Sequence, residues 1–512
     1  MLPHMALRAN WRSLRSENFK ERFGSIFHSD LTERFKSTQN ETQRLTGDLV
    51  NTLREMEATG ISTAVFSSPW DWFEQEEGKI KYDYLDWVMQ TTCQNTKLKV
   101  AFILDMVRAP AWVFTKFPDA KAMDSHYRQY QLLSWFHAEA HKVAQETLRN
   151  VVSHMANSYR ECLSAVQPVY NNEYEAKYTQ EHDCYQDYSP PAESAFREWL
   201  KVRRQRLEDL NGRWGTQFKT WEEVVPPVLE AGALMGVDMA SRYWDFLKFR
   251  EVVGAEVFTR SCAVVKSAGV RCFHHVPEFF SVLSAVYGAS MFKHIAASPY
   301  VDFIIVNSNF RTSYGTVLNP TKLRMYINAA QSYGKPVYFE AAVERMSSLE
   351  LLEAGFRHAA ASGAMGIGLT NWLGRLPLNA SLMQALHPAP VRCRATELVG
   401  VFIHLDSCSA WHGLQWGWSR KDPLHDFVQD LADTLGAECG THMAVFMELD
   451  RFYNALPQMD RVVFVEPIML FGAVELDLYA LVKTAVRSMR HDILYMPVNQ
   501  TNGVQMTVLQ DL

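Results

Sequence analysis

Two carboxylates stand where a carboxylate is costly. Glu173 follows Val166-Gln167-Pro168-Val169-Tyr170-Asn171-Asn172, and Glu340 ends Pro336-Val337-Tyr338-Phe339-Glu340. Each closes a short apolar run that reads as a buried strand, and a charge there loses its hydration. In a (β/α)8 barrel the C-terminal ends of the strands are where catalytic groups are placed. Two such acids are the minimum equipment for cleaving a glycosidic bond. Neighbouring acids read differently. Glu344 lies past the strand end after Glu340, and Glu175 and Glu181 follow Glu173 in what reads as a loop, so all three are expected to be solvated. His274 and His275 close another strand and read as pocket-lining histidines. A metal there would need a third ligand that the sequence does not place.

The elements that would hold these residues alternate along the chain. Asp48–Thr59 has Leu49, Leu53 and Met56 on one helical face, with Gly60 as the stop. Strands are expected at Ile61–Phe66, Leu98–Leu104, the run before Glu173, Val270–His274, Val301–Asn307, Pro336–Phe339 and Ala364–Leu369, with a weak first strand near Ile26-Phe27. Helices are expected at Tyr82–Cys93, Ser134–Tyr159, Asp245–Ala268, Val282–Ala297, Lys322–Tyr333 and Ser348–Ala361. The strands are continuously apolar rather than alternating, which means a parallel sheet covered by helices on its faces. Eight such units fit a closed TIM barrel with insertions better than an open sheet. The Leu386-His387-Pro388-Ala389-Pro390 segment reads as a linker. After it come strands at Leu398–Ile403, Arg461–Val465 and Ile493–Met496, with helices at Phe427–Leu435 and Leu476–Met489. The expected division is therefore residues 1–45 as an N-terminal extension with the weak first strand, 46–386 as the barrel, and 387–512 as a smaller α/β domain.

Composition narrows the partners. A formal charge of −6 and 21% charged residues give no reason to expect nucleic acid or an acidic membrane surface. No run of about 18 uncharged apolar residues is present, so no membrane span is expected. Residues 1–22 lack the apolar centre of a secretory signal. Arg8, Arg12, Arg15 and Arg22 give that segment a resemblance to an organelle transit peptide, although a solvated basic helix explains them more simply. The eight cysteines are scattered without CxxC pairs. That pattern predicts a reducing, cytoplasmic compartment, no disulfide framework and no structural zinc. No Gly-rich phosphate loop is found, and no cofactor is expected.

Longer motifs carry a specific likeness. Trp70 with Glu74-Gln75-Glu76-Glu77-Gly78, Tyr82-Asp83-Tyr84-Leu85-Asp86, Ala109-Pro110-Ala111-Trp112 with Phe117-Pro118-Asp119, and Asn172-Glu173-Tyr174 occur in order. Ala195–Lys201, Leu210-Asn211-Gly212-Arg213-Trp214-Gly215 through Phe218, Trp221, Pro226-Pro227, and Gly363–Ile367 with Asn371-Trp372 follow. Together they resemble the β-galactosidases of glycoside hydrolase family 42, retaining enzymes built on a barrel. The resemblance implies a general acid/base at Glu173 and a nucleophile at Glu340. It also implies sugar contacts from Asn172, Trp112 and Trp372, with His275 and Tyr314 lining the same pocket. The second domain would be flavodoxin-like and mediate a homotrimer. Some members hold zinc with cysteines after the acid/base strand. Here Cys184-Tyr185 begins that pattern, but Gln186 and Ser189 replace the later cysteines, so that metal site is expected to be missing.

The chain also departs from the family. The arginine that usually stands beside the nucleophile falls on Ala64 or Val65. A tyrosine after the sixth strand falls in Asn307-Ser308-Asn309-Phe310, with Tyr314 as a substitute from the loop. The first-strand motif is not recognisable near Ile26-Phe27-His28. Without the arginine, the carboxyl of Glu340 should hold its proton more tightly unless another group takes over. Two functions are consistent with this pattern. One is a retaining exo-β-glycosidase acting on a carbohydrate substrate. The other is a glycosidase-derived structural subunit assembled into a larger complex.

Overall fold

Strand and helix formation follow the apolar patterning closely. In the computed structural model, eight parallel strands close into a barrel: β1 (Glu21–Ile26), β2 (Thr63–Pro69), β3 (Lys99–Asp105), β4 (Leu163–Val169), β5 (Arg271–Val276), β6 (Phe303–Ser308), β7 (Val337–Ala341) and β8 (Gly366–Leu369). Each strand pairs with its neighbours in the chain, and β8 pairs with β1 to complete the ring. The structure describes residues 42–388 except 172, 180–183, 205, 229–236, 281–283, 309–318, 342–347 and 371–379. It also describes residues 21–26, 31 and 35, together with 397–407, 423–437, 441–465, 473–488, 492–495, 498–499, 503–504 and 507–509.

Side chains alternate across the barrel wall. Phe23, Val65, Ala101, Ile103, Ala165, Val169, Phe273, Phe303, Ile305 and Tyr338 form one buried cluster in the interior. Their outward neighbours, such as Val100, Phe102, Leu104, Ile304, Val306 and Phe339, pack with the surrounding helices. The two-residue period then puts Gln167, His275, Asn307 and Glu340 on the inner side, at the C-terminal end. The apolar layer beneath leaves them nowhere to turn except toward one another and the mouth of the barrel.

The helices follow the reading with local adjustments. The expected helix at 48–59 starts earlier, as Thr42–Ala58, and ends at Gly60, whose φ of 84° is a left-handed stop that a side chain would strain. Ser348 caps Leu349–Ala361 by accepting a bond from the Leu351 amide at 3.2 Å. The single helix expected over 282–297 is instead two short ones, Ser284–Tyr287 and Met291–Ala297. The weak first strand, expected near Ile26-Phe27, runs over Glu21–Ile26 and so ends where it was expected.

Beyond the barrel, a second sheet contains β9 (Glu397–Phe402), β10 (Thr441–Phe446), β11 (Arg461–Val465), β12 (Asp492–Tyr495) and β13 (Thr507–Leu509), in the order β10-β9-β11-β12-β13. β13 is antiparallel to β12 and the other pairings are parallel. Strand β10 was missed in the sequence because Thr441-His442 opens it with polar residues.

Two cysteine pairs correct the expectation of independent thiols. Cys93 bonds to Cys162 and Cys262 to Cys272, while Cys184 is a buried thiol whose sulfur accepts from Arg128 Nη2 at 3.0 Å. The partners lie 69 and 10 residues apart, and the fold brings them together without any spacing motif. No helix among the described residues is long and apolar enough to cross a membrane.

Candidate active site

Glu340 sits near the end of β7, opposite Asn307 of β6 and Gly368 of β8. Its side chain is 3% exposed, and Oε2 lies 2.7 Å from His275 Nε2, projected from β5. The other imidazole nitrogen, Nδ1, is 2.6 Å from Gln167 Oε1 on β4. Gln167 Nε2 in turn donates to the Tyr174 carbonyl at 2.8 Å. A polar chain thus runs across three strands from Glu340 to the turn that carries Glu173.

That turn begins just past β4. The Glu173 amide donates to Asn171 Oδ1 at 2.6 Å, and the Tyr174 amide to the Asn171 carbonyl at 3.3 Å. Tyr174 adopts a φ of 63°, a conformation that costs about 1 kcal/mol or more for a non-glycine residue. The Gln167 bond to its carbonyl and a 3.3 Å bond from Arg108 Nη2 to its hydroxyl hold it there. Glu173 is therefore not the last residue of a strand. It sits on a strained turn four residues beyond β4, and its side chain is 46% exposed.

Lys177 instead pairs directly with this carboxylate. Its ammonium lies 2.5 Å from Glu173 Oε2 and 2.6 Å from Glu175 Oε2, at 4.1 Å from the Tyr287 ring centroid. Burial pulls this ammonium down, but Glu175, Tyr287 and Glu173 outweigh it and hold the lysine above its usual range. Glu175 is only 13% exposed and also accepts from Asn307 Nδ2 at 3.4 Å, so it is not the solvated loop acid expected. Sequence reasoning missed Lys177 because a lysine four residues after an acid looks like a surface pair.

A second strand-end acid is linked to this turn through Arg108, which bonds both it and the Tyr174 hydroxyl. Asp105, at the end of β3, is fully buried and accepts from Arg108 Nε at 2.9 Å and from the Val107 amide at 3.2 Å. Burial pushes its carboxyl up to about 6, against the opposing pull of Arg108.

The remaining expected residues divide. His275 joins the cluster. His274 points the other way, between β5 and the helix Val237–Ser267, with Nε2 3.3 Å from Cys262 Sγ. Burial drives its imidazole down to about 3, so it stays neutral. Cys262, Cys272 and His274 lie within metal-ligand reach of one another, but the two sulfurs are bonded to each other. Trp112 is half-buried; its indole donates to the Glu74 carbonyl at 2.9 Å, and its ring stands edge-on to Trp70 at 6.1 Å. Its recorded contacts are with this Glu74 group rather than with the carboxylates. Asn172, Tyr314 and Trp372, and with them Glu181, Phe310 and Glu344, lie outside the described residues. At the position of the absent arginine, Ala64 packs with the helices and Val65 with the barrel interior.

Comparison with known proteins agrees with this geometry. The β-galactosidase model of glycoside hydrolase family 42 matches residues 39–365. A β-galactosidase of Thermus thermophilus is 28% identical over 169 residues, covering 32% of this chain and 25% of that protein. The β-galactosidase LacZ of Lactobacillus acidophilus is 23% identical over 233 residues, covering 42% of this chain and 32% of that protein. The matched segments therefore span only a quarter to a third of these relatives. Among solved structures, the β-galactosidase of the psychrophilic Marinomonas ef1 superposes with a TM-score of 0.67 at 13% identity, covering 93% of this chain and 75% of that one. The β-galactosidase of Bacillus circulans sp. alkalophilus gives 0.65 at 15%, covering 87% and 67%. The catalytic domain of β-amylase from Paenibacillus polymyxa gives 0.58 at 14%, covering 71% and 95%, so the barrel itself is shared more widely than the family. With the family model matching well over half of its length, the chain belongs to glycoside hydrolase family 42, the β-galactosidase family.

Proposed function

We propose that this protein is a retaining exo-β-glycosidase, β-galactosidase-like, that hydrolyses terminal β-linked sugars by double displacement. The observation that carries this reading is Glu340, a buried carboxylate facing into the barrel at the end of β7 and joined through His275 and Gln167 to the turn of Glu173. Glu340 attacks the anomeric carbon while Glu173 protonates the departing oxygen. Glu173 then removes a proton from the water that releases the sugar from Glu340. At rest Glu173 is clamped by Lys177. Its exposure and its place on a turn let an entering substrate draw it away. The pocket histidine is assigned to Glu340 rather than to the sugar. Asn172, Trp112, Trp372 and Tyr314 are proposed as sugar contacts. Residues 46–386 would be the catalytic unit and 387–512 a flavodoxin-like domain; the sheet order 2-1-3-4-5 supports that likeness. We further propose a homotrimer.

The test is a panel of aryl β-glycosides with a 2-deoxy-2-fluoro glycosyl fluoride. Turnover is expected, with covalent labelling of Glu340 found by peptide mass spectrometry. Glu340→Gln should lower kcat by about 10³-fold or more. A folded protein that neither turns over nor labels across the panel would sink this reading and return the structural-subunit alternative.

A further inference from the structure

We propose that Arg108 is a positioning residue for the acid/base: anchored on Asp105, it pins the hydroxyl of Tyr174 and so fixes the strained turn from which Glu173 projects. The kinetic part of this inference rests on the double-displacement reading, and the geometric part stands without it.

The turn does not hold its shape by local preference. A residue with a side chain at a φ of 63° lies in a minor well and returns to the extended or helical region unless its surroundings prevent it. Rotation about that φ would swing Glu173 relative to the rest of Tyr174. The chain on either side is anchored. Upstream, Asn171 is buried and its Oδ1 accepts from the Glu173 amide at 2.6 Å. Downstream, the Ala176 amide donates to the His275 carbonyl at 2.8 Å. Tyr174 itself is held at three points. Gln167 Nε2 donates to its carbonyl at 2.8 Å, its ring packs on the interior cluster of the barrel, and Arg108 Nη2 donates to its hydroxyl at 3.3 Å.

An arginine suits the third point. The guanidinium is planar and donates from both Nε and Nη2 in a fixed relation. Nε meets Asp105 Oδ2 at 2.9 Å while Nη2 meets Tyr174, so one rigid group sets the separation of β3 from the turn. Asp105 cannot move aside, because its side chain is fully buried and also accepts from the Val107 amide at 3.2 Å. The main chain of Arg108 is tied as well, its carbonyl accepting from the Asp71 amide at 2.9 Å. A lysine could reach the acid or the hydroxyl, but its single ammonium does not hold both in that relation.

The test compares two aryl glycosides of the sugar that the wild type turns over fastest. A 4-methoxyphenol needs a proton from Glu173 as it leaves, and 2,4-dinitrophenolate does not. Arg108→Met should slow turnover of the first by about 10²-fold, the scale of a misplacement of about 1 Å. The first-turnover burst of dinitrophenolate should stay within about threefold of wild type, since it asks nothing of the acid. Azide attacks the anomeric carbon without a base and expels the Glu340 carboxylate, so it should restore steady turnover with a glycosyl azide as product. Tyr174→Phe keeps the ring and loses the hydroxyl, and should show the same pattern at about tenfold. Arg108→Lys should resemble Arg108→Met. Equal slowing of both leaving groups, no slowing of either, or an Arg108→Lys enzyme as fast as wild type would overturn the proposal. The burst amplitude counts folded sites, so a misfolded Arg108→Met is recognised by its loss, and Tyr174→Phe then decides. A wild type that turns over no glycoside sinks the glycosidase reading and leaves the geometry to be judged alone. Crystal structures should then show Tyr174 at its positive φ in wild type and relaxed from it in Arg108→Met, and an unmoved turn would refute the tie.

Discussion

A buried strand-end acid is a thermodynamic liability whose sign is set by its surroundings, and Asp105 states that liability openly. Its carboxyl is pushed up to about 6 because burial outweighs Arg108. The shift is upward, so between about pH 4 and pH 6 the folded protein holds the proton more tightly than the unfolded chain does. Stability from this group is therefore present below about pH 4 and lost as pH rises through 6. The difference amounts to about 3 kcal/mol, and Asp105→Asn should remove it. Urea unfolding at pH 4.5 and pH 7 checks this: the wild-type advantage over Asp105→Asn should shrink by about 2–3 kcal/mol at the higher pH. A constant difference would show that Arg108 neutralises Asp105 fully. The same physics decides what was legible in the sequence. Glu340 and Glu173 stand out because acids seldom end apolar runs. Gln167 and Lys177 do not, because a glutamine within a strand and a lysine in a loop acquire meaning only when the barrel closes and the loop folds back over it.

At the level of elements, the strands with strong apolar runs were readable to within a few residues. β1 was legible only at its end, Ile26, because Glu21-Arg22-Phe23-Gly24-Ser25-Ile26 offers only two large apolar side chains. Its place is set by closure with β8, where glycines rather than large residues make the fit. A Cβ on Gly368 would stand 1.9 Å from the Phe23 ring, and one on Gly366 would meet the Glu21 carbonyl at 2.5 Å. The ring of Phe23 fills the space that Gly368 leaves and that of Tyr338 the space at Gly366, so β8 must lack side chains there for β1 to dock in register, Phe23 beside Gly368. Gly368→Ala should cost about 2–3 kcal/mol from overpacking, read as a drop in thermal midpoint. The double variant Gly368→Ala with Phe23→Leu should recover part of it by freeing ring volume. A Gly368→Ala protein as stable as wild type would mean that β1 is not held by this contact.

Across the whole molecule, the barrel and the second sheet are joined by a charge cluster whose centre, Lys293, Glu251 and Asp406, is buried. Lys293 is buried between Glu251 at 2.9 Å on the barrel side and Asp406 at 2.6 Å, just past β9. Lys248 contacts both acids, and His294 Nε2 lies 2.7 Å from Glu251. Tyr333 donates to Glu448 at 2.6 Å, and Gln429 to Thr321 at 2.9 Å, along the same junction. Burial works against each charge, yet Asp406 is held well below the usual carboxylate range by Lys248 and Lys293, and Lys293 above the usual ammonium range by Asp406 and Glu251. Because the Asp406 shift is downward, its contribution is present above about pH 4 and is lost only as pH falls through its depressed folded value. Asp406→Asn leaves two lysines facing one acid and should cost about 3–5 kcal/mol, a penalty that persists at pH 5. Replacing the pair with apolar groups, Asp406→Leu with Lys293→Met, should recover most of that loss, since an uncompensated buried charge costs more than a missing buried pair. Equilibrium unfolding of the three proteins at pH 5 and pH 7 decides the matter. A penalty below about 1 kcal/mol for Asp406→Asn would mean that the charges are solvated and that the apolar faces alone join the two units.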